Sequence, residues 1–185
     1  MAQTPSNMLA LGTIAPDFNL LNVVDNNYVS LKDLKGEKVT VILFICNHCP
    51  FVKHLNEAIS KTAKIYDSKG VNFIAISSND VENYPQDAPK YMKELVKNED
   101  FIFPYLYDKD QEVAKAYDAA CTPDFYVFNK NLTLEYRGQF DDSRPGNNIP
   151  ITGKDLIAAI DAILNNKAVN PNQKPSIGCN IKWLN

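Results

Sequence analysis

The stretch from Val39 to Lys53, V-T-V-I-L-F-I-C-N-H-C-P-F-V-K, leaves this chain few choices of fold. Val39 to Ile45 is almost continuously apolar and rich in β-branched residues, as expected of a strand covered on both faces in a parallel or mixed sheet. From Phe51 the period becomes helical: Phe51, Leu55, Ile59, Ala63 and Tyr66 can share a buried face, with Lys53, Glu57, Lys61 and Lys64 toward water. Between strand and helix lie Cys46 and Cys49, separated by Asn47 and His48. A thiol there sits by unpaired N–H groups and the positive pole of a helix, which favour its thiolate and so make a nucleophile. Pro50 bears on where the helix starts. With Cys46 as N-cap, Pro50 would be the fourth helical residue and delete a backbone hydrogen bond. With Cys49 as N-cap it takes the favoured first position.

Around this unit the rest of the chain reads as short, ordered pieces. Residues 1–13 are expected to be a loose leader, and the runs 15–20 and 28–31, separated by Asp25-Asn26-Asn27, a β-hairpin. Gly70 ends the helix and Val71 to Ser77 is a second strand, so strand, helix, strand argues for a parallel pair with a right-handed crossover. A helix carrying Met92, Leu95 and Val96 is expected within 80–100, an extended piece at 101–107 and a short helix at 111–119. Pro123 opens a strand through Asn129, which pairs back on 132–137 through the turn at Asn129-Lys130-Asn131. After a polar loop at 141–150, Thr152 and Asp155 have capping-box spacing at the head of a helix through Asn165 that buries Leu156, Ile157, Ile160 and Ile163. Ile177, Ile181 and Trp183 suggest that the tail docks. The expected organisation is one domain: a leader at 1–12, a core of about 13–166 and a C-terminal tail at 167–185.

Composition excludes some classes. A net charge of -3 and a pI near 5.4 provide no basic field for nucleic acid, which is not expected as a partner. The chain opens without the basic and apolar regions of a secretory signal and holds no run long enough to span a bilayer; a cytoplasmic location and no membrane partner are expected. Four cysteines, Cys46, Cys49, Cys121 and Cys179, are too few for a disulfide scaffold in 185 residues. The close pair is expected to be redox-active. No second Cys-x-x-Cys or His pair with zinc-finger spacing accompanies it, so neither a metal nor a cofactor is called for. As a cation, His48 would lower the pKa of a neighbouring thiolate; the alternative is an exposed spacer. His54 is expected on the solvated face of the helix.

A Cys-x-x-Cys between strand and helix, followed by Thr122-Pro123 at the head of a later strand, resembles the thioredoxin fold. The front segments A-P-D-F-N-L and S-L-K-D-L-K-G are similar to the alkyl hydroperoxide reductase/thiol-specific antioxidant branch, which includes peroxiredoxins. The resemblance spans roughly 13–165. It implies an α/β class with a three-layer α/β/α sandwich, a mixed central sheet and an N-terminal hairpin extension. It also implies that Pro123 is cis, with Thr122 and Cys121 beside the redox pair.

Two divisions of labour are implied. In the thioredoxin-like one, Cys46 attacks and Cys49 resolves the mixed disulfide of a thiol-disulfide oxidoreductase with an antioxidant role. In the peroxiredoxin-like one, the pattern T-x-x-C-P aligns Cys49-Pro50 with the peroxide-attacking cysteine and puts Cys46 where that family has Thr, while Ile42 stands where its proline would be. Neither Arg137 nor Arg144 is carried over as the activating arginine. Cys121 is either packing or a second resolving thiol near Cys46. Cys179 is a candidate resolving thiol, across a dimer or with Cys121, or else an unpaired tail thiol. The expected partners are a protein or small-molecule disulfide, or a hydroperoxide, with a thiol electron donor; a homodimer is left open. A non-catalytic binding module or a metal carrier is the reading from another class.

Overall fold

In the computed structural model, which describes residues 3–184, the elements run in order along the chain. They are β1 (Gln3–Pro5), β2 (Asn19–Asn22), β3 (Asn27–Ser30), α1 (Leu31–Leu34), β4 (Val39–Phe44), α2 (Pro50–Asp67) and β5 (Val71–Ser77). After a 3-10 turn (Pro85–Asp87) follow α3 (Pro89–Asn98), β6 (Tyr105–Tyr107), α4 (Glu112–Ala116), β7 (Cys121–Thr122), β8 (Asp124–Asn129), β9 (Leu134–Gly138), α5 (Lys154–Leu164) and β10 (Ile177–Asn180). A mixed sheet in the order β3-β2-β6-β5-β4-β8-β9 runs through the centre. In it β4 is parallel to β5 and antiparallel to β8.

The alternation of side chains along β4 builds a core on each face. Val39, Val41 and Leu43 pack with α2, α5 and Met92 of α3; Ile42 and Phe44 pack on the other side with Leu31 of α1, Val113 and Ala114 of α4 and Tyr117. Burying each large apolar side chain contributes about 1.5–3 kcal/mol, and the two-sided demand explains why β4 is apolar at almost every position. Its polar residue, Thr40, is used locally, accepting from the Gly36 N–H at 3.0 Å. Gly36 must itself be glycine, because a Cβ there would lie 1.9 Å from the Val39 carbonyl oxygen.

The expected α/β/α layers, the front hairpin β2–β3 and the β4–α2–β5 unit are all present. Several local expectations are corrected. The leader is not loose: β1 pairs with β10, while Met1 and Ala2 lie outside the described residues, as does Asn185 of the tail. Nor does the tail simply lean on the core, since β10 is the middle strand of a second sheet, β1-β10-β7. Ile181 is 1% exposed whereas Trp183 remains 40% exposed.

Helix ends differ as well. Thr152 and Asp155 form no capping box, because Gly153 in left-handed conformation (φ 66°) is the N-cap of α5 and Asp155 turns to Gln139 and Lys154. The capping box lies at Ser30 and Asp33, opening α1 where the sequence read only strand. On α2, Phe51 is only half-buried and Val52 takes the core position, consistent with a helix that starts at Pro50. Among the described residues no helix is long and apolar enough to cross a membrane.

Candidate active site

Two chain reversals bring the sulfurs together. Ile45 N–H still donates to Ile76 O at 3.0 Å, continuing the β4–β5 ladder to the residue before Cys46. The backbone then turns through Asn47 and His48 and enters α2 with Cys49 as N-cap and Pro50 at the first helical position, where a missing N–H costs nothing. On the far side, Thr122-Pro123 is a cis peptide between β7 and β8. Cys46 Sγ lies 3.4 Å from Thr122 Oγ1, and the Cys49 thiol donates to the Thr122 carbonyl at 3.2 Å. The third sulfur comes from the tail: Cys179 Sγ is 2.9 Å from Cys49 Sγ. All four cysteines are free and buried.

These contacts separate the thiols by acidity. Cys49 is lowered to about 5: the thiol hydrogen bond from Cys46 favours the anion most, burial opposes it, and the Cys179 thiol and the Val52 N–H in the first turn of α2 add to the lowering. As a thiol, Cys49 donates to Thr122; once ionised it becomes the acceptor for its neighbours. Cys46 is held well above the usual thiol range, chiefly by the proton it gives to Cys49, then by burial and the carboxylate of Asp87. Cys179 is raised to about 12, by burial first and by its bond to Cys49 second. Burial also raises Cys121, whose sulfur points to Pro123 O at 3.7 Å.

Cys121 is buried in the β7 strand, and it is Thr122 whose side chain meets Cys46. His48 is no exposed spacer: its Nδ1 is 2.6 Å from Asp87 Oδ2, and its ring stacks on Tyr84 with centroids 5.5 Å apart. His54 is likewise not a solvated-face residue, since its Nε2 lies 2.8 Å from Ser143 Oγ. Arg137 binds Leu9 O and Gln173, and Arg144 binds Gln139 and the Asp141 carbonyl.

Sequence reasoning missed Asp87. Its buried carboxylate also accepts from the backbone N–H groups of Asn47 and His48 at 2.8 and 3.2 Å and from Asn79 Nδ2 at 2.8 Å, pinning the Cys-x-x-Cys turn. The one available signal was an acid between Pro85 and Pro89, in a segment read as helix. Ligand atoms of Cys46, His48 and Asp87 lie within 4.8 Å of one another. That carboxylate is already committed to four nitrogen partners, which argues against a metal there. A groove of about 600 Å³ lined by Lys38, Asn129, Glu135 and Lys167 lies at the opposite end of β4 and β8 and contains no thiol.

The AhpC/TSA family matches residues 11–137 of the chain. The crystal structure of an uncharacterized conserved protein from Geobacillus kaustophilus is 56% identical, with 100% of this chain and 97% of that one covered and a TM-score of 0.98. A hypothetical protein from Sinorhizobium meliloti 1021 is 46% identical, covering 98% of each chain, with a TM-score of 0.95. The thiol-disulfide oxidoreductase ResA of Bacillus thuringiensis subsp. konkukian (strain 97-27) is 27% identical over 141 residues, 74% of this chain and 75% of the relative. A thioredoxin family thiol:disulfide interchange protein from Chlorobium tepidum TLS shares the fold at 19% identity, with a TM-score of 0.64 over 84% of this chain and 98% of that one. The fold is thioredoxin-like.

Proposed function

We propose that this chain, which belongs to the AhpC/TSA family, is a thiol-disulfide oxidoreductase in which Cys49 is the attacking sulfur and Cys46 the resolving one. The observation that carries this reading is the place of Cys49, the N-cap at the head of α2 with its sulfur against the Thr122 carbonyl and Cys179 Sγ, surroundings in which its thiol is lowered to about 5. The likeness to ResA supports the reaction class.

The Cys49 thiolate attacks one sulfur of a protein or small-molecule disulfide; the S–S bond breaks and the other sulfur leaves as thiolate. In the mixed disulfide Cys49 carries no charge, so it no longer helps to hold the Cys46 thiol protonated. The Cys46 sulfur then attacks Cys49 and expels the second substrate sulfur as a thiolate, which takes up the Cys46 proton. Two electrons have passed from the protein dithiol to the substrate, and a thiol donor restores it. The test is insulin reduction with dithiothreitol as donor. Cys49→Ser should show no acceleration over dithiothreitol alone, and retained turnover in that variant would overturn the reading.

A second reading, with an antioxidant role, rests on Cys49-Pro50 as N-cap and first helical residue, with Cys46 at the threonine position of the T-x-x-C-P pattern. Cys49 would take the terminal oxygen of a hydroperoxide as sulfenic acid, releasing an alcohol, and Cys46 would condense with it, releasing water. The pairing of both arginines elsewhere weighs against it. Hydrogen peroxide consumption with dithiothreitol as donor, lost in Cys49→Ser, is the result this reading requires.

A further inference from the structure

The tail is built into the site rather than laid beside it. Strand β10 pairs antiparallel with β7 in the register Cys179↔Thr122 and Asn180↔Cys121, and its other edge takes β1 in the register Gln3↔Cys179. Close approach to β7 is reserved for glycine: a Cβ on Gly178 would lie 2.0 Å from the Thr122 carbonyl oxygen and 2.6 Å from its carbon. Beyond the strand, Asn79 accepts from the Lys182 N–H, the Lys182 carbonyl accepts from Asp80 N–H and Gln111 Nε2, and Gln111 accepts from the Leu184 N–H. With the strap in place Cys46, Cys49 and Cys179 are 1%, 0% and 3% exposed, so no disulfide on another molecule reaches a sulfur. Most of the strap's anchors are hydrogen bonds, individually worth about 1 kcal/mol, which makes local opening of the tail the cheap route to Cys49.

We infer that Cys179 is a third redox residue: the tail opens to let Cys49 attack a disulfide and, on closing, delivers the Cys179 sulfur to the resulting mixed disulfide. This rests on Cys49 as the attacking thiol and adds a second resolving path to that of Cys46. On closing, the Cys179 sulfur attacks Cys49; the bond from Cys49 to the substrate sulfur breaks, a Cys49–Cys179 disulfide forms, and the proton of Cys179 goes to the departing thiolate. The substrate disulfide is reduced to two thiols and two protein thiols are oxidised, as in the Cys46 path. The 2.9 Å separation exceeds a disulfide bond of about 2.05 Å by less than 1 Å. Oxidation in this register fastens β10 to α2 and seals the site until a thiol donor reopens it.

The experiment oxidises the reduced full-length protein with glutathione disulfide and maps the products by non-reducing digestion and mass spectrometry. Cys46→Ser should yield the Cys49–Cys179 link, and the Cys46→Ser/Cys179→Ser double variant should accumulate glutathione on Cys49. Gly178→Ala keeps every thiol but adds one methyl against Thr122. Combined with Cys46→Ser it should lose the link, and alone it should let iodoacetamide alkylate Cys49 about tenfold faster or more, as expected when one extra methyl disfavours a docked state. Glutathione stably bound to Cys49 in Cys46→Ser, with Cys179 still free, would overturn the role of Cys179 while leaving Cys49 as attacker. Absence of any Cys49 adduct in the double variant would overturn both.

Discussion

Replacing Asp124 by Asn should alter how stability depends on pH. Asp124 follows the cis proline, is 0% exposed, and accepts hydrogen bonds from Ser6 Oγ at 2.9 Å and Tyr126 OH at 3.1 Å. Burial outweighs these bonds and raises its carboxyl from 3.8 to about 7. The folded chain therefore holds a proton that the unfolded chain releases near pH 4. The stabilisation is fully present below that pH and is lost as pH rises to about 7, a span worth about 4 kcal/mol at 1.36 kcal/mol per pH unit. The Asp124→Asn side chain would keep an acceptor for Ser6 without the charge. Other titrating groups are common to both proteins and cancel in the difference, so the variant should gain on wild type by about 3 kcal/mol between pH 4.5 and 8. In urea unfolding under a phosphine reductant this is a relative midpoint shift of roughly 1–2 M. An equal difference between the two proteins at pH 5 and pH 8 would refute the buried, protonated carboxyl.

Two further outcomes are expected. Thiolate absorbance followed from pH 3 to 8 should show an inflection near 5 that disappears in Cys49→Ser; a wild-type curve that rises only above pH 8 would contradict the hydrogen-bonded thiolate. Asp87→Asn leaves the donors on Asn47, His48 and Asn79 one carboxylate oxygen short. It should lower stability by about 2–4 kcal/mol and let Cys46 ionise at lower pH, because the Asp87 charge helps to hold it up; a urea melt and pH-dependent alkylation of Cys46 measure the two effects.

How much of this was legible beforehand follows the range of the forces involved. Strand β4, helix α2 starting after Cys49, strand β5 and their parallel pairing were readable because patterns of period 2 and 3.6 and a proline act over neighbouring residues. The short elements were less so. Ser30 and Asp33 form a capping box while Thr152 and Asp155 do not, although both pairs have the spacing; Gly153 in left-handed conformation decides the second case. The Cys-x-x-Cys was visible as a candidate redox motif, but its surroundings were not, since Asp87 is 40 residues from Asn47 and Thr122 is 76 from Cys46.

The sequence by itself determined that a dithiol would stand at the junction of a buried strand and a helix. Local periodicity and the Cys49-Pro50 step admit little else. Tertiary structure decided what surrounds each sulfur. A thiol's acidity depends on donors and burial within a few ångströms, and those around Cys49 come from Cys46, from α2 and from Cys179, which is 130 residues away. No spacing rule predicts that the tail returns through Gly178, because only the crossing of two backbones at Thr122 makes the absent Cβ matter.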